Sequence, residues 1–253
     1  MARAVAINVA ANTNLPGRRG PVYPDGSFRY VPIPETEPTA EPVATYRDLG
    51  LADAVPADAA DDPVHLDPEF PGVLGRDAAT YGDPHGVKAR PLAALDPGDW
   101  LLFYATLTVT GRDDAVSGAD ATPAAADGSA DWLPPTWGAF LVGEFRVAET
   151  LTGDDYRAAD ADTRARFDSN AHVRREPFDA AVLVRGDPAD SGLYDRAVPL
   201  STPDAGADAN RVVTDLSADS GKGPWWRRPL RFDADATRTL RDRIAADPAT
   251  WLP

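Results

Sequence analysis

The side chains able to do acid–base or metal chemistry in this sequence are few enough to weigh singly. There are three histidines, His65, His85 and His172, and no cysteine. Each histidine falls in a polar turn context, with Asp67 two residues after His65 and Asp83 two before His85. Without thiolates, a metal site would need three or four nitrogen or oxygen ligands to converge. No HExxH-type helical pair is present and nothing in the spacing shows convergence, so the sequence assigns no metal and names no cofactor. An acid/base or ligand role falls on His65 and Asp67, with Asp25 as the third candidate. Asp25, in Pro24-Asp25-Gly26, is equally explained by turn chemistry. His85 reads as a solvent-facing turn residue.

Two further places have the composition of a nucleotide site. Arg18 and Arg19 follow Asn12 and Asn14 in a glycine-bearing loop that runs on to Tyr23, and arginine forks suit phosphate. The run Gly221-Lys222-Gly223-Pro224-Trp225-Trp226-Arg227-Arg228 interleaves aromatic and basic residues, the pairing that holds unstacked bases. Competing structural roles are an ordinary exposed loop for the first and core anchors for Trp225 or Trp226 in the second. If a nucleotide binds, the two segments are expected to flank one cleft; a base is expected in a pocket lined by Trp100, Tyr104 and Trp137 near the mouth of a barrel, and His172 is a further expected nucleotide contact. No Gly-x-x-x-x-Gly-Lys-Ser/Thr, Gly-x-Gly-x-x-Gly or Gly-x-Ser-x-Gly pattern occurs, which argues against ATP use, dinucleotide binding and a serine hydrolase.

The elements that must position these residues centre on Gly98 to Thr152. A turn at Gly98-Asp99 opens an aromatic and β-branched run, Trp100 to Thr110, that reads as a central strand. A second long strand, Trp137 to Leu151, alternates in its latter half, and Gly143 is placed where a curling sheet needs a bulge. The two are expected to be adjacent and antiparallel, with Asp113 to Asp131 as a surface excursion between them. Ala4 to Ala11 and Ala180 to Gly186 read as buried strands, and Leu193 to Leu200 as a short strand or edge. Thr152-Gly153-Asp154-Asp155 starts a helix expected to reach Phe167, with Tyr156, Ala159, Thr163 and Phe167 on one face. Ala234 to Asp247 reads as a terminal helix. Residues 35–97 are loop-rich, with a short helical turn at Tyr46 to Leu51 and a solvated linker at Ala52 to Asp62. Together these predict an α+β fold: a curved, mainly antiparallel sheet or a partly open barrel with flanking helices. A single domain over 1–253 is expected, with inserts at 35–97 and 111–135.

The strand pair, Gly98-Asp99 with its aromatic strand and then Val142-Gly143-Glu144, resembles the start of the barrel in the PUA, ASCH and EVE superfamily. A second resemblance runs through most of the chain. Pro21-Val22-Tyr23-Pro24-Asp25-Gly26, Pro32-Ile33-Pro34-Glu35, Tyr46-Arg47-Asp48-Leu49 and His65-Leu66-Asp67-Pro68, in that order, resemble the third nucleotide modification associated domain family. The chain departs from that pattern in its acidic inserts and in Asn170-Ala171-His172, where the pattern has a histidine-rich pair. The resemblance implies a role beside nucleic-acid modification: binding a modified base or nucleotide, or modifying one with His65, Asp67 and Asp25. A structural or interaction protein is the third reading.

Composition bounds the setting. With 25 Lys+Arg against 40 Asp+Glu the formal charge is -15, and Lys88 and Lys222 are the only lysines. Such aspartate-rich, lysine-poor usage resembles that of proteins from salt-loving archaea, where molar salt shortens the Debye length to about 3 Å. Acidity therefore neither supports nor excludes a nucleic-acid partner. The longest apolar run, Trp100 to Ala105, is too short to span a bilayer, and a cytoplasmic, non-membrane protein is expected.

Overall fold

The structure, a computed structural model of the chain, describes residues 2–11, 15–111, 132–200, 216–218, 229–246 and 250. Strands β4 (Trp100–Val109) and β5 (Trp137–Thr152) form its spine, paired antiparallel with Trp100 opposite Arg146 and Thr108 opposite Trp137. The register slips between Phe103, which faces Gly143, and Tyr104, which faces Leu141. This is the irregularity expected at Gly143. A Cβ there would lie 2.7 Å from the Gly192 carbonyl oxygen and 2.8 Å from the Phe70 ring, so only glycine lets the two chains approach.

The strands before and after the spine share its edges. β1 (Ala4–Asn8) and β2 (Pro21–Val22) run parallel to successive lengths of β4. β6 (Val182–Gly186) and β7 (Gly192–Pro199) run antiparallel to successive lengths of β5. β3 (Thr80–Asp83) on β6 and β8 (Leu230–Phe232) on β1 complete the order β3-β6-β5-β4-β1-β8. The sheet is mixed, mostly antiparallel and open, and with its helices it gives the expected α+β class.

Burial follows the two-residue period of the strands. Val5, Ile7, Leu101, Phe103, Phe140, Val142 and Phe145 enter one apolar cluster, while Ala4, Ala6, Leu102, Tyr104, Ala139 and Leu141 enter another on the opposite face. The continuous apolar runs in β1 and β4 are thus strands covered on both sides. Helix α5 (Ala234–Ile244) covers the second face through Leu240. The first is covered by the loop-rich region, where Phe70 meets Tyr30, Phe103 and Phe145 edge-on at ring centroids of 5.3–5.5 Å.

Two expectations are corrected. Thr152 caps a helix with the reciprocal Thr152–Asp155 bonds of a capping box, but α2 (Gly153–Ala158) stops there, and Asp160 caps a separate α3 (Ala161–Ala165) by accepting from the Thr163 N–H. An aspartate in extended backbone is a better start than a middle for a helix, and the break still lets Tyr156 and Phe167 share one small core. The stretch from Ala52 to Asp62 is no solvated linker. Val55 and Ala59 bury against Val31, Tyr46, Leu51 and Val64, and Tyr46 Oη donates to the Pro32 carbonyl at 2.8 Å. Asp113 to Asp131 lies outside the described residues.

Candidate functional site

The loop-rich region and the segment after α3 meet at the edge strand β3. One side of β3 pairs with β6; on the other, the Gly82 N–H donates to Asp67 Oδ1 at 2.9 Å. Asn170 joins the two segments. Its Nδ2 donates to the same Asp67 oxygen at 2.8 Å, while its Oδ1 accepts from the His172 N–H at 3.0 Å and so caps the short helix α4 (Ala171–Arg174). One buried amide therefore sets where His172 stands relative to Asp67. Gly82 makes room for it: a Cβ there would fall 2.8 Å from His172 Cδ2 and 2.9 Å from Asn170 Oδ1.

His65 completes the centre. Its ring meets that of His172 edge-on, with centroids 4.8 Å apart. One ligand-capable atom each from His65, Asp67 and His172 lies within 4.8 Å of the other two, and all three residues are buried. His172 Nε2 faces Asp67 Oδ2 at 3.7 Å, beyond hydrogen-bond range.

The outer nitrogens of both rings are held by carboxylates. His65 Nδ1 is 2.6 Å from Glu35 Oε2, and His172 Nδ1 is 2.8 Å from Asp179 Oδ1. Arg175 spans the two carboxylates, with Nη2 on Glu35 and Nη1 on Asp179, both at 2.7 Å. Ionised carboxylates only accept hydrogen bonds, so each ring carries a proton on Nδ1, which in neutral His172 leaves the Nε2 lone pair for the centre.

The electrostatics agree with this assignment. Burial alone would raise the Glu35 carboxyl, but hydrogen bonds from His65 and Arg175 outweigh it and hold the group down at about 2. Asp179 is likewise held low against burial by His172 and Arg175. Burial, helped by the neighbouring His65, pushes His172 down to about 4, so it is neutral at pH 7. Asp67 goes the other way: burial drives it well above the ordinary carboxylate range, against the bonds from Gly82 and Asn170 and with the charges of Glu69 and Asp83 adding to the rise. Asp179, with its side chain 30 % exposed against 5 % or less for His65, Asp67 and His172, marks the side nearest solvent.

The other candidates lie elsewhere. Asp25 is exposed in its turn, where its carboxylate accepts from Ser27 N and Oγ at 2.9 and 2.6 Å. Arg18 pairs with Asp62 at 2.7 Å and covers the Tyr46 ring, fastening the small satellite core. The guanidinium of Arg19 lies 4.6 Å over the Trp137 ring. Tyr23 is exposed, whereas Tyr104 is fully buried in the core. Trp100 carries Arg146 and Arg241 on its ring. Since Trp100 and Trp137 pair at opposite ends of the β4–β5 ladder, they and Tyr104 do not line one pocket. His85 is exposed just before α1 (Gly86–Leu92). Asn12, Asn14, Lys222, Trp225, Trp226, Arg227 and Arg228 lie outside the described residues, and with them the expected two-segment cleft.

Sequence reasoning had His65 and Asp67 together and counted His172 only as a nucleotide contact. It missed Glu35, Asp179, Arg175, Asn170 and Gly82 as parts of one site. Glu35 had a signal, since it closes the Pro32-Ile33-Pro34-Glu35 motif; Asp179 had none.

No helix among the described residues is long and apolar enough to cross a membrane. No curated protein and no solved structure is significantly similar to the chain. The model of one family, described as nucleotide modification associated domain 3, matches residues 3–242, and the chain belongs to that family.

Proposed function

We propose that this protein acts on a base or nucleotide in the course of nucleic-acid modification, and that the His65–Asp67–His172 centre carries the chemistry. Membership of the family supports the nucleic-acid context. One observation carries the assignment of the site: two imidazoles, each fixed through Nδ1 by a carboxylate, meet at a buried carboxyl group, with one ligand-capable atom of each of the three residues within 4.8 Å of the others. Such an arrangement takes up protons or coordinates an electrophile, and it is an expensive one to keep in a core for stability alone. The substrate class is a modified base, presented free or in DNA, whose reacting group reaches the centre from the Asp179 side.

The test is to incubate the purified chain with nucleoside mono-, di- and triphosphates and with DNA bearing modified bases, then measure nucleoside masses after digestion. A mass change that His172→Ala removes and His85→Ala keeps is expected. No change with any substrate, or a change that survives His172→Ala, contradicts the reading.

A further inference from the structure

We infer that His65, Asp67 and His172 bind a divalent first-row transition ion, zinc or iron(II), through two Nε2 atoms and one carboxylate oxygen. Identifying this centre as the working site rests on the preceding proposal; the ion itself is tested without any nucleotide.

Four features point the same way. The donor set is two imidazoles and one carboxylate, which suits zinc or non-haem iron and is too nitrogen-rich for magnesium or calcium. Three protein ligands leave positions for water or substrate, as catalytic sites require. Each ring donates its other nitrogen to a carboxylate, Glu35 at 2.6 Å or Asp179 at 2.8 Å, which is the outer-shell arrangement that orients and strengthens histidine ligands. Arg175 then bridges that outer shell and offsets one of its two negative charges, at 2.7 Å from each carboxylate. The fourth is Asp67, a carboxyl group buried beside two rings that offer it no proton within hydrogen-bond range on the His172 side.

The spacing allows it with a small contraction. Tetrahedral ligands at about 2.1 Å from an ion stand about 3.4 Å apart. The His172–Asp67 separation of 3.7 Å is already near that value, and the outer limit of 4.8 Å for the set asks the ligand atoms to close by up to about 1.4 Å. His172 sits on a four-residue helix and His65 in a loop, so neither ligand is carried by a long regular element.

The experiment is metal analysis and calorimetric titration of the whole chain, stripped by chelator and then offered zinc chloride, iron(II) under anaerobic conditions, or magnesium chloride. One zinc or iron per chain is expected, with magnesium failing to compete. Affinity should fall about 100-fold or more in His65→Ala and His172→Ala, and about 10- to 100-fold in Asp179→Asn, while His85→Ala binds as the parent does. Absence of a stoichiometric ion in the parent chain overturns the inference. So does unchanged binding in Asp179→Asn and His172→Ala that keep the parent circular dichroism. Should the histidine variants fail to fold, the parent stoichiometry and Asp179→Asn decide alone. A bound ion with no nucleotide conversion overturns the proposed function and leaves the ion; conversion by a chain that binds no ion when offered one does the reverse.

Discussion

Replacing Gly82 with alanine perturbs the centre without removing any of its functional groups. Gly82 lies in β3 opposite Leu183, and its N–H already serves Asp67. In an unobstructed strand the exchange would stabilise the fold by about 0.5–1 kcal/mol, because glycine loses more backbone freedom on folding. Here the new Cβ falls 2.8 Å from His172 Cδ2, 2.9 Å from Asn170 Oδ1 and 3.1 Å from His172 Cβ. Ordinary carbon contacts need about 3.5–4.0 Å, so the ring and the amide must retreat by more than half an ångström. Overpacking of this kind costs about 1–3 kcal/mol, leaving a net loss of about 0–2.5 kcal/mol. The displaced ring carries one proposed ligand atom away from the other two, so ion affinity should fall about tenfold or more. Urea denaturation measures the first effect and titration with zinc the second. A variant as stable as the parent that binds zinc equally well would show that His172 is not seated on Gly82.

Other outcomes follow from the same contacts. Arg175→Met removes the cation shared by Glu35 and Asp179; with Glu35 only 3 % exposed, the loss should be about 3 kcal/mol by chemical denaturation, and Arg175→Lys should recover only part of it because one ammonium cannot serve both carboxylates. Asp99 accepts from Arg3 N and Nε at 2.9 and 2.8 Å and is held below the ordinary carboxylate range although burial opposes this. Its contribution is therefore present above the unfolded-state value of about 3.9 and is lost as pH falls through the folded value; Asp99→Asn should destabilise by about 1–2 kcal/mol at pH 7 and by much less near pH 3, as thermal melts at the two pH values would record. With a formal charge of -15, the melting temperature should rise steadily as potassium chloride goes from about 0.1 to 2 M, and a flat response would show that local pairing already balances the acidic surface.

Much of the sheet is legible in the sequence because its signals are local. Trp100 to Val109 and Trp137 to Thr152 announce themselves by β-branched and aromatic composition, and Gly143 marks the bend. The misread segments are those where tertiary contacts decide. Ala52 to Asp62 has the composition of a linker, yet Val55 and Ala59 find a satellite core around Tyr46. Asp160 fits a helical face as well as a cap, and the cap wins. The centre is half legible for the same reason. His65 and Asp67 are two residues apart, but their partners Glu35, His172 and Asp179 arrive through loops whose paths are set by Asn170 and β3, and no spacing rule in the sequence encodes that meeting. Trp100, Tyr104 and Trp137 look like a cluster in composition, and the ladder register separates the two tryptophans.

The central claim is that two imidazoles, each held through Nδ1 by a carboxylate, present Nε2 to one point beside Asp67. Nitrogen NMR of histidine-labelled protein tests it most directly, because each ring reports which nitrogen holds the proton. The metal-free chain should show His65 and His172 protonated on Nδ1 and bare on Nε2, and one equivalent of zinc should shift both Nε2 signals while leaving His85 unchanged. An Nε2–H tautomer in either ring, or zinc that shifts only His85 or none of the three, would contradict it.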